Sequence, residues 1–130
     1  MAQDSLIHSS EDIDLLLSWS SDDCDRLILI EAKAFGSFAN KQLTSKLKRL
    51  ESIFGFQGDN FERVRPTFVL TGFSAPVKLR TEAWPPWALA DGMPRFLRMP
   101  PPSEPQFMVS RCDESGVPAA LGKHWRYVKR

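Results

Sequence analysis

The chain is poor in the residues that build reactive or cross-linked sites: its 130 residues include two cysteines, two histidines and one tyrosine. Cys24 and Cys112 stand far apart with no Cys or His at ligand spacing, which indicates neither a zinc site nor a disulfide framework. Both read as reduced thiols. No apolar run approaches the roughly 18 residues of a membrane span. The opening Met1-Ala2-Gln3-Asp4-Ser5 lacks the basic-then-apolar order of a secretory signal. The expectation is a soluble cytoplasmic protein with no membrane partner. Acyl transfer and nucleoside-triphosphate hydrolysis find no support, because no Ser or Cys has a paired His and no Gly-rich phosphate loop exists. Asp22, Asp23 and Asp25 lack the Gly and closing Glu of a calcium loop and read as a solvated turn. His8 and His124 are isolated, with packing or exposure the default for each.

What is present suits one small globular domain over residues 1–130, with 42% apolar and 25% charged residues. The net charge of +1 conceals an asymmetry. Through Glu31 there are eight acids and one base, a balance of −7; beyond it sixteen Lys and Arg face eight acids, a balance of +8. Clustered carboxylates beside a basic remainder suit a metal site acting on a polyanion, since the ion needs anionic oxygens and the phosphates need cations. On charge alone, solvated turns explain the acids as well.

Along the chain, Leu6 to His8 reads as a truncated strand. Asp12 to Leu17 alternates and then turns continuously apolar, as a strand entering a buried sheet does. Ser18 to Asp25 reads as a hairpin turn, and Arg26 to Lys33 as the clearest strand, four aliphatics followed by Glu31-Ala32-Lys33. Ala39, Leu43, Leu47, Leu50 and Phe54 form one helical stripe, with Ser37 as N-cap and Gly55 as stop. The basic residues Lys41, Lys46, Lys48 and Arg49 could meet phosphates along that helix, with a charged outer face as the default reading. Pro66 to Gly72 reads as a second core strand. Beyond it, a Pro/Trp-rich stretch admits a short helix starting near Pro86. Phe107 to Arg111 and His124 to Val128 form a long-looped hairpin. Trp84 and Trp87 flank two prolines, a pairing used more often for packing over a sheet than for stacking on bases.

Alternation places Glu31 and Lys33 on one face of their strand. Pairing of the hairpin brings Asp14 close to Glu31, so two carboxylates and an ammonium gather in one cluster. Metal-assisted hydrolysis of a phosphodiester needs such a set: hard oxygens for Mg²⁺ or Mn²⁺ from Asp14, Glu31 and the Ala32 carbonyl, and Lys33 against the developing negative charge.

An acidic residue opening an apolar strand, a turn, an aliphatic strand ending Glu-x-Lys and a following helix together resemble the PD-(D/E)XK nuclease superfamily, the restriction-endonuclease-like fold. The matching positions are Asp14 and Glu31-Ala32-Lys33, with 16 residues between Asp14 and Glu31. Gln42 takes the accessory place that several branches fill on the next helix. The resemblance covers about residues 9–72. It implies a mixed α/β (α+β) sheet flanked by helices, here with a C-terminal β-hairpin extension in residues 73–130. It also implies metal-dependent cleavage of nucleic acid, DNA favoured over RNA, with Asp14, Glu31, Lys33 and Gln42 as catalytic residues.

Members usually carry a helix and a strand, often with a further acid, before the motif hairpin; here residues 1–11 precede it. The expectation is therefore a shortened member, or one completed by a second copy or a partner chain. The rival readings are a silent module of the same fold that binds nucleic acid or protein, and a surface Glu-x-Lys ion pair in an unrelated α+β domain.

Overall fold

A computed structural model describes residues 12–129. The strand expected at Leu6 to His8 lies outside the described residues. The architecture is mixed α+β: a five-stranded mixed sheet, a separate two-stranded sheet and, among the described residues, one α-helix. The chain divides after Met99 into two compact units. No helix among the described residues is long and apolar enough to cross a membrane.

The first unit contains β1 (Leu15–Ser20), β2 (Asp25–Lys33), α1 (Asn40–Phe54), β3 (Val64–Gly72), a 3₁₀ turn at Pro86–Ala88, β4 (Leu89–Ala90) and β5 (Met93–Arg98). The strand order is β1-β2-β3-β5-β4, with β2, β3 and β5 mutually parallel and β1 and β4 antiparallel at the edges. A parallel pair cannot be joined by a tight turn, and α1 supplies the crossover between β2 and β3. Its stripe Leu43, Leu47, Leu50 and Phe54 is buried with Leu29 of β2, with Phe68 and Leu70 of β3, and with Trp84, Trp87 and Ala88. Alternation explains the choice: Leu29 pairs with Phe68 and Glu31 with Leu70 in register, so these four side chains share the helix-covered face.

The helix end is held by side chains from elsewhere. Asn60 donates to the Ile53 carbonyl at 3.0 Å, and the Trp87 indole to that of Gly55 at 3.0 Å. These bonds satisfy carbonyls that a helix C-terminus leaves without partners. Gly55 itself has φ of 88°, which an L side chain rarely adopts. Trp84 and Trp87 are core residues, in edge-to-face contact with Phe68 and Phe54 respectively.

Several expectations need correction. The hairpin is shifted along the chain: β1 is Leu15–Ser20 rather than 12–17, and the turn is confined to 21–24. Ser21 tightens that turn, its hydroxyl donating to the Cys24 carbonyl at 2.8 Å. Nor is β1 buried, for all six of its residues are exposed. Among the described residues it is an edge strand paired with β2 alone, and the apolar stripe of α1 is spent on β2 and β3. The helix begins at Asn40 after Ala39, with no side-chain cap from Ser37. Strand β5 was not expected from the sequence at all.

The second unit contains the ribbon of β6 (Phe107–Cys112) and β7 (His124–Lys129), antiparallel and joined by a long loop. Asp113 organises that loop, its Oδ1 accepting from the amides of Ser115 and Val117, each at 2.9 Å. Such Asx-type bonds let an acidic residue close its own turn.

Candidate active site

The ladder between β1 and β2 begins at Leu15 paired with Ile30, so Asp14 falls opposite Glu31. Here the ladder ends in a side chain. Asp14 Oδ2 accepts a hydrogen bond from the Ala32 amide at 2.8 Å. In an antiparallel pair a residue turns its N–H and C=O to the same neighbour. The Ala32 carbonyl is therefore directed to the edge where the Asp14 carboxylate sits. The hairpin thus joins the Asp14 carboxylate to the Ala32 peptide, with Glu31 opposite Asp14 in register.

Glu31 is buried, with 11% of its side chain accessible, on the helix-covered face. Its Oε2 accepts from the ammonium of Lys46, an even more buried group at 4%. The same ammonium donates to the Asp12 carbonyl at 2.6 Å. The assignment of Lys46 to the outer helix face is therefore wrong, and the cation touching Glu31 comes from α1. A signal for this existed: Lys46 lies three residues after Leu43 and four before Leu50, within the apolar stripe.

Lys33 follows on the same face of β2 by alternation, partly exposed, and makes no ion pair with any described residue. Its backbone is pinned by a close approach. Lys33 pairs with Gly72, where an added Cβ would collide with the Lys33 carbonyl oxygen, so only glycine lets β2 and β3 run side by side to this point. Gln42 is exposed at the start of α1, one turn before Lys46, and the structure gives it no contact with the cluster.

The donors at this end of β2 are oxygens, the ligand type that a hard divalent cation would require. A positive charge, the Lys46 ammonium, is already seated between the Glu31 carboxylate and the Asp12 carbonyl. It takes one Glu31 oxygen, Oε2. Asp14, Glu31 Oε1 and the Ala32 carbonyl are the oxygens that would hold such an ion. Three or more Asp, Glu, His or Cys side chains do not converge anywhere among the described residues, so the set depends on a main-chain oxygen.

A separate open cleft of about 540 Å³ lies between Ser18–Ser20 of β1, Asp25–Leu27 of β2 and Phe54 and Phe61. It is at the opposite end of β2, six residues or roughly 20 Å from Glu31. Its apolar lining places no cluster of carboxylates. Comparison with known protein families, with curated proteins and with solved structures finds no match to this chain.

Proposed function

We propose that the chain is a nuclease-like module of the PD-(D/E)XK type, hydrolysing phosphodiester bonds in nucleic acid with the help of Mg²⁺ or Mn²⁺. The single observation that carries this reading is the Asp14 to Ala32 hydrogen bond, because it supports an acid joined to the Glu31-Ala32-Lys33 segment across the hairpin. The order of an antiparallel hairpin, a helix and a parallel strand supports it as well.

In this reading Asp14, Glu31 and the Ala32 carbonyl hold the ion. When bound, it polarises the phosphate and lowers the pKa of a coordinated water. Lys46 neutralises one oxygen of Glu31 and fixes its rotamer, leaving the other oxygen for the ion. Lys33 sets its ammonium where negative charge grows on the phosphate oxygens as water adds to phosphorus and one ester P–O bond breaks. Gln42 orients substrate from the helix start. A silent binding module is the second reading, favoured by Lys46, whose ammonium already supplies Glu31 with a counter-charge.

Incubating the full chain with labelled DNA and RNA in Mg²⁺ or Mn²⁺ separates the two. The nuclease reading expects metal-dependent cleavage, reduced about 100-fold or more in Lys33→Ala. Equal background from both proteins would contradict it and favour the silent module.

A further inference from the structure

The two faces of the β6–β7 ribbon differ in a way that the candidate active site does not explain. In register, Phe107 pairs with Lys129, Val109 with Tyr127 and Arg111 with Trp125, so these six side chains occupy one face. All six are exposed, Phe107 at 59%, Trp125 at 64% and Tyr127 at 74%. The other face contains the buried Cys112 and the partly buried Ser110, Arg126 and Val128.

The rings are ordered. Phe107 and Tyr127 meet edge to face at 5.8 Å, and the Arg111 guanidinium lies 5.1 Å from the centre of the Trp125 ring. Contiguous exposed aromatics mark a contact surface. The charges on this surface decide its partner. It has a cation at each end, Arg111 and Lys129, and no carboxylate; the nearest acid in the loop, Asp113, is turned into its own backbone.

We infer that this face of the ribbon binds single-stranded nucleic acid, with bases stacked on Trp125, Tyr127 and Phe107 and with phosphates met by Arg111 and Lys129. Single strands are favoured over duplexes because only unpaired bases offer their flat faces to a ring. Trp125 and Tyr127 stand two residues apart on one strand, roughly 7 Å, so neighbouring bases have separate platforms. The inference rests on the nucleic-acid reading above and names the form of the substrate.

The test uses the full chain in EDTA buffer, where binding is read without turnover. Fluorescence anisotropy is measured with a labelled single-stranded DNA, the same sequence as RNA, and the corresponding DNA duplex. Wild type should bind the single strands more tightly than the duplex, and Trp125→Ala and Tyr127→Ala should each weaken binding about tenfold. Lys129→Gln should lower the salt slope by about one. Both rings are exposed, so their removal leaves the fold intact, as circular dichroism would verify. Single-strand binding in EDTA by a protein that shows no metal-dependent cleavage separates failure of the catalytic reading from failure of this surface. Absence of binding, a preference for duplex, or unchanged affinity in both ring variants would overturn the inference. So would a wild-type dimer on size exclusion that Trp125→Ala converts to monomer, since the face would then join copies of this chain.

Discussion

Strand β2 has an ion pair at each end, and the two pairs are built on different physics. At its start Asp25 faces Arg63 at 3.5 Å, with 40% and 52% of the side chains accessible. Near its end Glu31 meets Lys46 with 11% and 4% accessible. Water screens the first pair and stabilises each partner alone; the second has exchanged water for one another and for the Asp12 carbonyl. The exposed pair is replaceable, whereas the buried one fixes the position of a carboxylate. A precise carboxylate is what a metal site requires, and the expected ligand is on the buried end.

The largest effect should come from breaking the buried pair on one side. Glu31→Ala strands the Lys46 ammonium and should cost about 3–5 kcal/mol in urea unfolding. Replacing both partners, Glu31→Leu with Lys46→Met, should recover most of that stability, since well-packed apolar groups substitute for buried pairs. The double variant should still not cleave. Restored stability with restored cleavage would remove Glu31 from the chemistry.

Next in size is Gly72→Ala. Its Cβ collides with the Lys33 carbonyl, so the ends of β2 and β3 must part, at about 1–3 kcal/mol. Cleavage should fall further than stability explains, because Lys33 moves with its backbone. A variant with wild-type cleavage would show that Lys33 needs no such placement.

The smallest effect is expected at the exposed end. A hydrogen bond from Ser20, opposed by desolvation and aided by Arg63, holds the Asp25 carboxyl below the usual carboxylate range. A depressed folded-state pKa contributes stability above the unfolded value of about 3.9, which is lost as pH falls through the folded value. Exposure makes this contribution slight. Asp25→Asn should melt with wild type at pH 7 in 0.15 M salt and differ, if at all, at low salt above pH 4. A large loss at pH 7 would erase the contrast between the two ends.

The same contrast explains what was legible in the sequence. Regular patterns are legible: the stripe from Leu43 to Phe54, the aliphatic run of β2, the β-rich run of β3, and both strands of the C-terminal ribbon, although Pro66 lies inside β3, which starts at Val64, rather than bounding it. Two kinds of information were not local. Ser18-Trp19-Ser20 has the composition of a turn, yet β2 extends far enough to pair with it, so tertiary pairing overrode propensity. Pro94 concealed β5, a strand that tolerates it where Leu89 of the two-residue edge strand β4 is its partner. At the site, Asp14 and Glu31-Ala32-Lys33 stand out by type and order, and the structure joins Asp14 to Ala32. Lys46 is not legible from its charge, which argues for exposure, although its spacing puts it among leucines. The aromatic face of the ribbon was hidden for a related reason: Phe107, Trp125 and Tyr127 look like core residues until the register puts them together on an open surface.

The central claim is that Asp14 and Glu31 act together, across the hairpin, as holders of one divalent cation. Calorimetric titration of the full chain with Mn²⁺ tests it without any substrate. The account predicts one saturable binding event in wild type, absent in Asp14→Asn while the variant remains folded by circular dichroism. No heat in wild type, or the same binding curve in both proteins, would contradict it.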